Sequence, residues 1–170
     1  MIYLFILIYL IGLRISELIV AKSNEKYQKQ NGAIEIKDPY YTYIVITHTL
    51  FFVFLVAESF LVHGWEREIS LTLVIMFVLI QALRFWSLIS LGRYWNTKVI
   101  VLPNAQIVQK GPYKWIKHPN YIVVGLEFLI IPLMFHAFVT ATLFLGMHLW
   151  LMSKRIPMEN QALQQFLTKQ

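Results

Sequence analysis

The stretch Gly111-Pro-Tyr-Lys-Trp-Ile-Lys-His-Pro-Asn-Tyr-Ile-Val-Val-Gly-Leu-Glu127 begins as a basic, polar loop and turns abruptly into an apolar helix. His118 and Pro119 stand at the junction. Proline suits the first position of a helix, where its missing N–H would have no partner anyway, so His118 falls at the cap. Backbone amides exposed at such a helix start attract anions. Glu127 lies about two turns into the apolar part, among Val123, Val124, Leu126, Phe128 and Leu129. A histidine, a tyrosine and a buried acid at one helix start beside a membrane read as the wall of a cofactor site.

The rest of the 170-residue chain has the composition of an integral membrane protein. It is 58% hydrophobic and only 14% charged, with a mean hydropathy of +0.58, where a soluble domain would carry roughly a quarter charged residues. There are no cysteines, which excludes disulfides, iron–sulfur ligation and thiolate zinc. Five scattered histidines lack ligand spacing, so no metal site is expected. Neither a glycine-rich phosphate loop nor a nucleophile elbow is present. The net charge of +6 is distributed between the apolar runs, which points to a membrane surface and away from nucleic acid.

Five spans are predicted: Met1–Val20, Tyr40–Val62, Ile69–Ser90, Asn120–Phe135 and Ala137–Met152. Crossing a ~30 Å hydrocarbon core takes about 20 helical residues, so the fourth is barely long enough, and Pro132 is expected to bend it. Met1–Val20 lacks a basic start and a small-residue cleavage site, and Arg14 and Glu17 interrupt it; it reads as a retained span. Lys22–Pro39 is polar and basic, with a turn signal at Asn31-Gly32. His63–Glu68 is a short connection. Leu91–His118 is a long polar segment of a kind uncommon unless functional, and within it Val99–Leu102 is a short strand or an interfacial patch. His136 marks a tight turn, making spans four and five a helical hairpin, and Ser153–Gln170 continues as an amphipathic helix outside the bilayer. The fold class is therefore all-α integral membrane, a single domain over 1–170 with its catalytic region at about 91–170. With the N-terminus outside, the three inner segments hold twelve of the fifteen Lys and Arg, and the outer connections hold only Arg67. That bias places the motif-rich segments in the cytosol.

An ionisable side chain at the bilayer centre costs about 2.5–3.5 kcal/mol on the mildest scales, so each needs a reason. Arg14 and Glu17, three apart, can pair on one helix face. His48 reads as a hydrogen-bonded bundle residue, and Glu58 lies close enough to the outer surface to be wet. Glu127 either pairs with Arg14 or Arg84 from a neighbouring helix or faces a cytosol-open cavity and holds a cationic group. His118 and Tyr121 either cap the helix and anchor the interface or line a pocket under the loop Gly111–Lys117. Arg155 and Glu159, four apart, form a surface pair or a ligand clamp. Gathered from the two arms of one hairpin, these groups offer a cation, an acid and aromatic walls. That suits an amphoteric cofactor with a carboxylate, an ammonium group and an aromatic base.

Gly111-Pro-Tyr-Lys-Trp-Ile-Lys-His-Pro-Asn-Tyr121, an apolar hairpin and then Arg155-Ile-Pro-Met-Glu159 resemble the isoprenylcysteine carboxyl methyltransferase family. Its pattern is roughly G-P-Y-x-x-x-R-H-P-x-Y followed by R-x-x-x-E-E. Arg14-Ile-Ser-Glu17, Asn24-Glu25, Gly32-Ala33-Ile-Glu35, His48 and Tyr94-Trp-Asn-Thr-Lys98 look like a bacterial branch associated with O-methylation of lipidic polyketides such as alkylpyrones. Lys117 replaces the usual Arg, and Asn160 replaces the second acid of the Glu-Glu pair. The resemblance implies an S-adenosylmethionine-dependent O-methyltransferase with five spans. Lys117, His118, Tyr121, Arg155 and Glu159 would hold the cofactor in a cytosolic pocket, with the Gly111–Lys117 loop closing over it. Arg84, Arg93 and Glu127 are the candidate catalytic residues, a cation such as Arg84 or Arg93 steering the acceptor anion, with Trp95 and Asn96 on the substrate side. The acceptor would be a carboxylate or an enol or phenol oxygen on a lipid tail, isoprenylcysteine-like or alkylpyrone-like, entering sideways from the bilayer. Membrane lipids are the other expected partners, and a homo-oligomer is compatible with any span burying a face against a copy of itself. Two rivals remain open: an NADPH oxidoreductase like the membrane sterol reductases, and a non-enzymatic small membrane protein.

Overall fold

Apolar sequence without amphipathic punctuation folds into long helices whose outer faces stay uncovered. In the computed structural model, which describes residues 2–63, 68–103 and 105–166, the main helices are α1 (Ile2–Gln30), α2 (Tyr41–Glu58), α3 (Leu71–Leu91), α4 (Pro119–Met134) and α5 (Phe138–Phe166). Three stretches are long and apolar enough to cross a bilayer: Ile2–Gln30, Tyr41–Leu61 and Leu71–Tyr94. Less than a quarter of each apolar window is buried inside the bundle, and Phe5, Ile8, Val53, Leu79 and Ile89 face outwards, as a lipid-solvated surface requires. The protein is an all-α membrane protein. α4 is apolar but has 16 residues, about 24 Å of helix.

α4 is the centre. It packs against α3 on one side and α5 on the other, and Val123, Phe128, Ile131 and Met134 are buried in one cluster with Leu10 of α1, Phe51 and Leu55 of α2 and Phe144 of α5. The α4–α5 hairpin is closed as the sequence suggests. His136 takes φ 56, its N–H donates to Leu133 O at 3.2 Å, and Ala137 N–H donates to Pro132 O at 2.8 Å. This is a Schellman closure with histidine in the left-handed position that glycine usually fills.

Two expectations are corrected. The first helix does not end near Val20. It runs to Gln30 and closes by the same device at Gly32 (φ 85), with Gly32 N–H on Lys29 O and Ala33 N–H on Gln28 O. The polarity of Lys22–Gln30 marks where the helix leaves the apolar zone, and the Asn31-Gly32 signal marks where it stops. Span five does continue into the exit segment as expected, as one helix that runs through Pro157. Glu58 is not simply wet. Its carboxylate accepts from Val139 N–H (2.9 Å), Thr140 N–H (2.7 Å) and Thr140 Oγ1–H (2.6 Å), satisfying donors that the start of α5 leaves open. Arg67, Lys169 and part of the His63–Glu68 connection lie outside the described residues.

The helix ends sort into two groups. His136 Nε2 lies 3.3 Å from Glu68 O, and the Tyr3 and Phe135 rings meet at 5.1 Å, at one end of the bundle. At the other, Ile34–Glu35 pairs antiparallel with Ile100–Val101, which settles the Val99–Leu102 alternative as a short strand. Asn24 Nδ2 donates to Gly92 O (3.1 Å) and Trp95 O (2.8 Å), and Gln28 Nε2 to Arg93 O (2.6 Å). These bonds tie the long segment after α3 to the polar end of α1.

Candidate active site

A cavity of about 680 Å³ runs from this polar end into the middle of the bundle. Its upper wall carries Lys117, His118 and Tyr121 from the start of α4, Arg155 and Glu159 from α5, and Trp95, Asn96 and Thr97 from the segment between. All five residues expected to hold a cofactor are therefore gathered at one mouth. Its lower wall is apolar: Ile11, Ile15 and Leu18 of α1 face Ile44, Val45, Phe52 and Val53 of α2.

The start of α4 builds the polar end. Pro119 occupies the first helical position and His118 the cap, but the ring makes no capping bond. It stacks on Tyr121, 5.4 Å between centroids and 16° between planes, with Nε2 2.9 Å from Asn160 Oδ1 and Nδ1 3.7 Å from Glu159 Oε1. An amide oxygen only accepts, so Nε2 carries the proton in that contact. The Tyr121 hydroxyl donates to Glu159 Oε2. Arg155 lies over the Tyr121 ring, 5.7 Å from its centroid, and donates from Nη2 to Thr97 O at 2.5 Å. Arg155 and Glu159 are thus joined through Tyr121, not as a surface pair.

Asp38, which the sequence reading passed over, sits 3.6 Å from Arg155 Nε with its side chain only 4% exposed. A D-P dipeptide before a helix gives a turn signal and no chemical one. Asn160 was noted as a missing acid, and its amide proves to be the partner of the His118 ring. Gly111 (φ 54) is required by close approach, because a Cβ there would lie 2.0 Å from Ser90 Oγ and 2.9 Å from Trp86 Nε1. The loop is thereby pressed onto α3. Within it, burial and the nearby Glu159 carboxylate raise the Tyr113 hydroxyl above its ordinary pKa, so it stays a neutral donor.

At the cavity floor the ionisable residues of the spans meet. Glu127, 1% exposed, accepts from Arg14 Nη2 (2.6 Å), Arg84 Nη1 (2.5 Å) and Gln81 Nε2 (2.9 Å). Glu17 accepts from Arg14 Nη1 (3.1 Å) and from Arg84. Two guanidiniums and two carboxylates from α1, α3 and α4 make a formally neutral lock, in which Arg84 donates to Glu17 from Nε and Nη2 and to Glu127 from Nη1. Of the two readings of Glu127, the structure supplies the paired one. Arg93 does not join the cavity: its guanidinium lies over the exposed Tyr27 ring, 5.4 Å from the centroid, and Nη1 is 3.5 Å from Ser23 Oγ. His48 lines the cavity midway, its Nδ1 2.8 Å from Ile44 O and its ring 5.0 Å from Phe128. A carbonyl can only accept, so Nδ1 bears the proton and Nε2 keeps its lone pair.

Apolar helices thus surround a half-polar, half-apolar cavity with His118, Tyr121, Arg155 and Glu159 at its mouth. The chain belongs to the isoprenylcysteine carboxyl methyltransferase (ICMT) family, whose profile matches residues 73–165, and so to a family of membrane methyltransferases. Among relatives, it is 46% identical over 160 residues to "Uncharacterized protein YpbQ" of Bacillus subtilis, covering 94% of this chain and 95% of that one. It is 26% identical over 164 residues to an "Uncharacterized protein" of Haemophilus influenzae, covering 94% of each. No solved structure matches it.

Proposed function

We propose that this protein is an S-adenosylmethionine-dependent O-methyltransferase acting on an oxygen nucleophile carried by a lipid tail. The observation that carries the reading is the two-part cavity, polar at the mouth and apolar between α1 and α2. The polar part suits the cofactor. Its residues leave several buried polar atoms without a hydrogen-bond partner, among them Trp95 Nε1, Tyr113 OH and Asn120 Oδ1. Buried polar groups left unpaired are uncommon in native structures and call for an explanation; a ligand with donors and acceptors of its own supplies one. A cation and a carboxylate on one helix match a carboxylate and an ammonium group, and about 680 Å³ lies within the ordinary range for small-molecule sites.

In this reading Arg155, with Lys117 at the exposed lip, takes the amino-acid carboxylate. Glu159, oriented by the Tyr121 hydroxyl, takes the ammonium group, and Tyr121 and His118 provide a ring wall. The cofactor supplies an activated methyl group, leaving the protein to align and desolvate. Apolar side chains of α1 and α2 exclude water and hold the acceptor tail, which enters between those helices from the bilayer. An acceptor that is anionic at neutral pH needs no base; a neutral hydroxyl meets the free Nε2 lone pair of His48. Arg84 and Glu127 act through the lock, holding α1, α3 and α4 in register around the floor. With the N-terminus outside, the cavity mouth faces the cytosol.

The test is thermal stabilisation of the purified protein by S-adenosylhomocysteine, with NADPH in parallel. At 100 times its Kd a ligand adds about 2.7 kcal/mol. The expected result is a shift with the first, none with the second, and loss of the shift in Glu159→Gln. A shift with NADPH alone would sink the methyltransferase reading.

A further inference from the structure

A second concavity, of about 540 Å³, opens where α1 leaves its apolar stretch. Lys22, Lys26 and Lys29 line it from one face of α1, at i, i+4 and i+7, and Lys98 faces them across the gap. Two of the four are neutralised. Lys29 Nζ lies 2.6 Å from both Glu25 Oε1 and Glu35 Oε2, and Lys98 Nζ lies 2.9 Å from Glu25 Oε1 and 3.1 Å from Glu35 Oε1. That ring of two lysines and two glutamates carries no net charge and forms one fixed wall. Lys22 and Lys26 make no ion pair among the described residues, so the concavity keeps two uncompensated positive charges. Its floor is apolar, with Leu18 and Ala21. Leu18, Tyr41 and Thr97 also line the larger cavity.

We infer that this concavity binds the phosphodiester headgroup of an anionic phospholipid. A tendency for basic residues to collect on one side of a membrane accounts for the number of lysines. It does not account for their lining a hollow with a charge-balanced wall and the apolar Leu18 and Ala21 beside them. Lys22 directly follows the apolar run that ends at Ala21, about 1.5 Å further along the helix, which is headgroup depth. Basic pockets between helices at that depth bind acidic headgroups. The lipid's acyl chains then run down the exposed Leu18 and Ile15 face, at the edge of the opening between α1 and α2. The proposal does not rest on methyl transfer, although the hollow shares Leu18, Tyr41 and Thr97 with the larger cavity.

The experiment uses the full chain in neutral detergent micelles, titrated with dioleoylphosphatidylglycerol, with dioleoylphosphatidylcholine and with glycerol phosphate, bound molecules being counted by native mass spectrometry. Phosphatidylglycerol should be retained, and the other two should not. Each near-surface lysine contributes enough that Lys22→Gln or Lys26→Gln weakens binding about fivefold and the pair about 25-fold. The exposed pair Lys110→Gln with Lys154→Gln, neither of which lines the hollow, should bind as wild type does. Both lysines are solvent-exposed and unpaired, so the thermal midpoint without lipid should not move; if the double variant nevertheless unfolds, the single variants carry the measurement. Equal retention of both phospholipids, equal weakening in the control pair, or undiminished binding in Lys22→Gln would overturn the proposal. Binding of glycerol phosphate as tight as that of the lipid would also overturn it, by making a free phosphate the occupant.

Discussion

Replacing Glu127 by glutamine separates the two readings of that residue. The carboxylate is buried and receives three hydrogen bonds, two of them from guanidiniums on different helices. Glutamine keeps the shape and one oxygen but removes the charge, so Arg14 and Arg84 are left sharing Glu17 and the lock goes from neutral to a net positive charge. Removing one partner from a buried ion pair costs about 3–5 kcal/mol. For a chain of this length each kcal/mol moves the midpoint by about 2–4 °C, so Glu127→Gln should melt roughly 6–20 °C lower. Fluorescence of the five tryptophans in a fixed detergent reads the transition. Below its midpoint the variant should still bind S-adenosylhomocysteine, because Glu127 is not at the cavity mouth. Adding Arg14→Gln restores neutrality around Arg84 and Glu17 and should recover about 0.5–3 kcal/mol relative to additivity. A variant with wild-type stability that no longer transfers methyl groups would refute this reasoning and return Glu127 to catalysis. So would a double variant whose losses simply add.

Three further outcomes test other parts of the structure. Gly111→Ala places a methyl group 2.0 Å from Ser90 Oγ at a backbone angle L residues rarely adopt, so the loop must lift from α3; cofactor affinity by calorimetry should fall at least about tenfold, and an unchanged value would mean the loop does not form the site. Glu58→Ala removes the acceptor at the start of α5, and on the scale of lost helix caps its midpoint should drop by the equivalent of about 0.5–2 kcal/mol, with cofactor binding intact. Hydrogen bonds from Lys29 and Lys98 hold the Glu35 carboxylate below its ordinary pKa. A lowered acid contributes stability above its unfolded value of about 4.3 and loses it as pH falls through the folded value. Wild type should therefore show an extra small fall in midpoint below about pH 4 that Glu35→Gln lacks, small because the pair is solvent-exposed.

Helix number, the hairpin and the gathering of Lys117, His118, Tyr121, Arg155 and Glu159 were legible because they rest on local signals: apolar length, a proline at a helix start, a four-residue spacing. Helix ends were less so. Val20 looked like an end because apolar residues stop there, yet backbone hydrogen bonding continues regardless of side-chain polarity until Gly32 breaks it. The partners of buried charges were hardest. Arg14, Glu17, Arg84 and Glu127 are spread over 114 positions, and only packing shows that they cancel one another. Asp38 carried no signal of its own, since its role comes from the position of Arg155 on a helix more than a hundred residues later.

The segment matching the family, residues 73–165, contains the cavity mouth: Lys117, His118, Tyr121, Arg155 and Glu159. The apolar wall comes from α1 and α2, outside that segment, as do His48 and the Asp38 that faces Arg155. On the proposed reading, the family segment carries the methyl-donor side, and the acceptor would lie against Ile11, Ile15, Val45, Phe52 and their neighbours. Arg14 and Glu17 connect the two, because the lock that fixes α1 against α3 and α4 also fixes how far the α1 wall stands from the mouth. On that same reading, acceptor choice is a property of the α1 and α2 walls, and exchanging Val45 or Phe52 should alter it while leaving S-adenosylhomocysteine binding at the mouth intact.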